Sequence, residues 1–83
     1  MVGRIVCSIA GRDKGKFMVI LGSEMGNFIV ADGKERPLEH PKKKNPKHLK
    51  KTNSTLESKQ YSTNKSLRKA LNEFKGCAPQ EED

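Results

Sequence analysis

The sequence contains no tryptophan, one tyrosine and three phenylalanines in 83 residues, and hydrophobic residues of every kind make up only 33%. So little apolar material limits the chain to one small core, since a chain of about 60 residues buries only about 60% of the surface it exposes when unfolded. A large enzyme with a deep substrate cleft is excluded. Long hydrophobic runs are missing too: the apolar stretch Phe17 to Leu21 falls far short of the roughly 20 residues a membrane span needs. Cysteine is scarce, with Cys7 and Cys77 near opposite ends and neither in a C-x-x-C pair. With His40 and His48 they would make four potential ligands, but the spacing matches no zinc module, so neither a metal nor another cofactor is expected. Met1-Val2-Gly3-Arg4 leads directly into an alternating pattern, without the charged and then apolar order of a secretion signal. A reducing cytoplasm is the expected setting, with both thiols free.

Positive charge is what the chain has in excess. There are 17 Lys and Arg against 10 Asp and Glu, a net of +7. Residues 1 to 53 hold 12 basic and 5 acidic residues, whereas residues 54 to 83 hold 5 of each. Lys34 to Lys51 alone carries 8 basic and 2 acidic residues. A basic stripe this concentrated suggests a polyanionic partner. Charge by itself leaves nucleic acid, an acidic protein and an anionic membrane surface all open.

Along the chain, Gly3 to Ala10 is β-branched and reads as a strand, with Ile5, Cys7 and Ile9 on one face and Arg4, Val6, Ser8 and Ala10 on the other. Gly11 to Lys16 has turn chemistry, with Gly11 and Gly15 placed to allow it. Phe17 to Leu21 reads as a buried second strand and Phe28 to Ala31 as a third, separated by a Gly-rich turn. Asp32-Gly33 is a hairpin signal that predicts a short fourth strand near Arg36 to Glu39. Pro37, Pro41 and Pro46 confine the next stretch to extended or loop geometry, and His40 to Lys47 is its most basic loop. His48 to Thr52 predicts a closing strand with Leu49 pointing inward. Short strands at this spacing suggest a small barrel, which would also remove exposed sheet edges.

Composition changes after Thr52. Asn53 to Ser62 is polar and reads as a linker. From Thr63 a helix is expected, capped by Thr63 or Asn64, with Leu67, Ala70, Leu71 and Phe74 at helical spacing and Gly76 to end it. Its apolar face is expected to cover the barrel, the alternative being a docking site for a partner protein. Residues 77 to 83 read as a disordered acidic tail. The expected organisation is a barrel domain over 1–53, a linker over 54–62, a helix over 63–76 and the tail.

The run Val2-Gly3-Arg4-Ile5-Val6-Cys7-Ser8-Ile9-Ala10-Gly11-Arg12-Asp13-Lys14-Gly15-Lys16-Phe17-Met18-Val19-Ile20 resembles a KOW motif, a strand, a glycine-containing basic loop and a second strand. Asn27-Phe28-Ile29-Val30-Ala31-Asp32-Gly33, a basic segment, and His48-Leu49-Lys50-Lys51-Thr52 extend the likeness. In this order they resemble the KOW-domain large-subunit ribosomal proteins of archaea and eukaryotes, the fourteen-e class. The resemblance covers residues 2 to 53. It implies a mostly β fold, an SH3-like barrel of about five strands to which the C-terminal α-helix is added, and it implies RNA binding.

Two groups of side chains are then expected at the RNA. Arg12, Lys14 and Lys16 sit in a loop whose glycines let backbone approach a phosphate. Arg36, Lys42, Lys43, Lys44, Lys47, Lys50 and Lys51 form the stripe. A solvated hairpin turn and a solubility patch are the plainer readings of the same residues. Gly11, Gly15 and Gly33 are assigned to turns. Phe17 and Phe28 are expected in the core, so recognition through the RNA backbone fits better than reading of single-stranded bases. Gly11-x-x-x-Gly15-Lys16 is one residue short of a Walker loop and no Ser or Thr follows it, so nucleotide hydrolysis is rejected and no catalytic residue is assigned. The expected protein is a monomeric, non-catalytic RNA binder in the cytoplasm, ribosomal or ribosome-associated, with ribosomal RNA and ribosomal proteins as partners and no membrane. The alternative is a protein-interaction module of the transcription or translation machinery.

Overall fold

The structure, a computed structural model, describes residues 2–12 and 14–74. Asp13 of the expected turn, Cys77, Gly76 as helix terminator and the acidic tail lie outside the described residues. Five strands form one antiparallel sheet: β1 (Arg4–Ser8), β2 (Phe17–Glu24), β3 (Asn27–Ala31), β4 (Lys42–Lys44) and β5 (Leu49–Thr55). Their order is β4-β3-β2-β1-β5. Helix α1 (Asn64–Glu73) follows, and 3-10 turns occupy Pro46–His48 and Ser58–Tyr61.

The expected fourth strand lies further along the chain than its turn signal suggested. Asp32 Oδ1 accepts from the backbone N–H of both Lys34 and Arg36, each at 2.9 Å. This carboxylate cap holds 32–36 as a turn, and pairing resumes only at Lys42–Lys44, opposite Phe28 to Val30. The lysine triplet is therefore a strand and not a loop. β5 also runs past Thr52 to Thr55, into the segment that reads as a linker, and the rest of that segment contains the Ser58–Tyr61 turn.

Both faces of the sheet are buried. On one face Val6, Met18, Ile20, Val30 and Leu49 form a cluster, with Phe28 packed against it. On the other, Val19 and Ala31 meet Leu67 of α1, with Leu21, Leu38, Leu56, Tyr61 and Leu71 around them. This explains the unbroken runs Ile5-Val6-Cys7 and Met18-Val19-Ile20, because a strand covered on both sides needs no polar alternation. Both of the faces that alternation gives the first strand are therefore inward. Ile9, expected alongside Ile5 and Cys7, lies beyond the end of β1 and is 42% exposed.

The first cluster is covered by curvature. Lys51 Nζ of β5 lies 5.9 Å from the centroid of the Phe28 ring on β3. Lys44 Nζ of β4 donates to the Ala10 carbonyl, just beyond β1, at 3.0 Å. Each pair is three strands apart, about 14 Å in a flat sheet, so the sheet must curl to bring them together. Register shifts between Ile20 and Gly22, and between Arg4 and Val6, supply bends of the kind that bulges introduce. The hydrogen-bonded ladder itself is open, with β4 and β5 as its two edges.

α1 starts where expected: Thr63 Oγ1 accepts from Ser66 N–H at 3.1 Å. The helix docks on the sheet through Leu67, which is fully buried. Three polar contacts tie it to the β3–β4 connection. Asn64 Oδ1 accepts from Leu38 N–H at 2.7 Å, Asn64 Nδ2 donates to Glu39 Oε1 at 2.9 Å, and Arg68 Nη1 donates to Gly33 O at 2.8 Å.

At Gly33, φ is +80°, and a Cβ would stand 2.7 Å from the Asn64 carbonyl oxygen. Gly33→Ala should therefore add about 1–3 kcal/mol of backbone strain even before the clash is counted. At roughly 4–8 °C per kcal/mol for a domain of this size, the variant should melt well below wild type by circular dichroism. An unchanged midpoint would show that this turn does not lie against the helix.

Candidate nucleic-acid interface

In an antiparallel meander the β1–β2 and β3–β4 connections fall at the same end of the sheet. That places the basic loop 11–16 beside the 32–41 segment. The loop closes as a hairpin, with Ser8 N–H donating to Lys16 O at 2.9 Å and Gly15 N–H to Ser8 O at 2.7 Å. Gly11 and Gly15 both have positive φ, 86° and 90°, which accounts for glycine at these turn positions. Lys16 Nζ pairs with Glu35 Oε1 at 2.6 Å and links the two connections. Between them lies a cleft of about 560 Å³, lined by Arg12, Lys16, Met18, Glu35, Arg36 and Lys42. Four of the side chains expected at RNA, from three separate segments, therefore meet in one concave surface.

The rest of the stripe is divided. Along β4, alternate side chains point to opposite faces. Lys44 is only 6% exposed, and its ammonium is held against the Ala10 carbonyl, so it serves the curl of the sheet. Lys43 points the other way and lies 3.5 Å from Glu24. Lys14 and Lys47 are exposed, while Lys50 and Lys51 lie along β5 with Lys51 over Phe28. The stripe that is continuous in sequence is not one surface in space.

A larger groove, about 870 Å³, lies between α1 and the two connections and includes Lys16, Lys34, Lys65, Arg68 and Lys69 in its lining. Apart from Lys16, none of these belongs to the expected site. The signal was present in the sequence: residues 65, 68 and 69 are spaced i, i+3, i+4 and share one helix face. Counting charge over the whole of 54–83 conceals it, because that segment sums to zero.

Phe17 is half-buried and meets Phe74 edge to face, with ring centroids 5.0 Å apart. Cys7 is a buried free thiol, and burial raises its pKa above the ordinary value. It is accordingly a poor nucleophile. Among the described residues no group of three or more His, Cys, Asp or Glu could hold a metal ion. Among the same residues no helix is long and apolar enough to cross a membrane. Compared with known proteins, the chain matches no family model and no curated sequence.

Proposed function

We propose that this chain is a non-catalytic, cytoplasmic RNA-binding protein of the KOW type. Its curled sheet acts as an SH3-like barrel and grips the backbone of structured RNA, ribosomal RNA in particular, on or beside the ribosome. The observation that carries this reading is the convergence of Arg12, Lys16, Arg36 and Lys42 on one cleft. Glu35 in the same cleft is paired with Lys16, so the charge offered to a phosphate backbone comes from Arg12, Arg36 and Lys42, and neutralising phosphates there releases counterions from the RNA. Support also comes from the KOW-like run, whose loop supplies two of the four. Lys44 is left out of the RNA-facing set, because its ammonium is held against the Ala10 carbonyl.

The competing reading, a protein-interaction module, drew on the apolar face of the C-terminal helix. That face is occupied by the sheet, with Leu67 fully buried. The test is a salt titration of binding to deproteinised ribosomal RNA. Three phosphate contacts, from Arg12, Arg36 and Lys42, give a log–log slope of at least about −2.1 to −2.7. Affinity should then fall by about 20- to 40-fold between 50 and 200 mM salt. Absence of binding, or binding indifferent to salt, would reject the proposal.

A further inference from the structure

The geometry points to a second phosphate-binding site, in the groove between α1 and the strand connections. There the RNA backbone would run from the cleft onto the helix, a deepening that rests on the RNA reading above. The groove is about 870 Å³, within the roughly 300–1,000 Å³ typical of ligand clefts. Lys34 reaches it from the β3–β4 connection, and Lys65, Arg68 and Lys69 from the helix. Among the described residues Asp32 is the one carboxylate in the lining, and its Oδ1 is engaged by the backbone of Lys34 and Arg36. That carboxylate is thus bonded into its own loop.

The helix faces are also segregated by charge. Leu67 and Leu71 pack toward the sheet, while Lys65, Arg68 and Lys69 lie along the neighbouring face. A cover for the sheet needs only the first of these faces. Arg68 is oriented by donating one N–H to Gly33 O, and a guanidinium has four further N–H groups to offer a phosphate. Phe17, half-buried in the groove wall, gives the sugar or base of the same nucleotide an apolar surface. Lys16 lines both concavities and so makes them neighbours along one path. With this site the helix becomes part of the binding surface as well as a lid.

The deciding experiment compares wild type with Lys65→Gln/Lys69→Gln in the same ribosomal RNA titration. Both lysines are exposed and glutamine is a good helix former, so the fold should be retained. Two lost phosphate contacts should flatten the log–log slope by about 1.4–1.8, and weaken binding at 0.1 M salt by about 25- to 60-fold. Lys59→Gln, outside the groove, should leave the slope unchanged. Amine-reactive footprinting of the wild-type chain supplies an arm that needs no variant, and Lys65 and Lys69 should be protected when RNA is bound. A wild type that binds with a steep slope, beside a double variant with the same slope and no protection of either lysine, overturns the groove site alone. An equal loss in Lys59→Gln also overturns it, as general electrostatics. A wild type that does not bind overturns the RNA reading and the groove with it.

Discussion

Replacing Arg12, Arg36 and Lys42 together by glutamine should weaken binding to ribosomal RNA by about 130- to 500-fold at 0.1 M salt. Each cation that neutralises a phosphate contributes about 0.7–0.9 to the log–log salt slope, so three contribute about 2.1–2.7. The loss should therefore shrink as salt rises. Arg12 and Arg36 are exposed and Lys42 is half-buried at the cleft wall, so the substitutions remove charge from the surface and leave both clusters intact. Lys44→Gln serves as the contrast. It lies two residues from Lys42, but its ammonium bonds to the Ala10 carbonyl, so its effect should fall on the melting temperature first. If the triple variant kept the wild-type slope, the cleft would not be the RNA-binding surface.

Leu67→Ala should be strongly destabilising. The side chain is 0% exposed and is the helix's fully buried contact with Val19 and Ala31. Truncating a buried leucine to alanine costs about 2–5 kcal/mol. A domain of this length has only about 4–12 kcal/mol in total. A helix of ten residues does not persist alone, so weakened docking should release it altogether. The expected result is a midpoint lower by at least about 8 °C in thermal denaturation, with helical ellipticity lost early. A shift of only a degree or two would mean that this leucine does not dock the helix on the sheet. If α1 carries phosphate contacts, the same variant should also bind RNA less tightly, although no groove cation has been altered.

Much of this was legible in the residues. The β-branched runs, the Gly11 and Gly15 turn, the inward Leu49 and the Thr63 cap each depend on neighbours a few positions away, and the structure has them where the sequence placed them. The fourth strand lies beyond the position its turn signal predicts, because Asp32 makes a local cap that the hairpin signal does not distinguish from a tight two-residue turn. The helix cations do not show in the net charge of zero over 54–83, because that sum averages the helix with the acidic residues that follow it.

By itself, then, the sequence determined the small apolar core, the β-rich first part, the helix and its start, and the excess of positive charge. These follow from composition and from spacing along the chain. Tertiary structure alone decided which charges are neighbours. Strand alternation sends Lys43 and Lys44 to opposite faces, curvature carries Lys44 to the Ala10 carbonyl, and antiparallel pairing brings Arg12 beside Arg36 and Lys42. Docking of Leu67 sets Lys65, Arg68 and Lys69 across from Lys34. The physical reason is that electrostatic contact depends on distance in space, and most of these groups are separated along the chain by tens of residues.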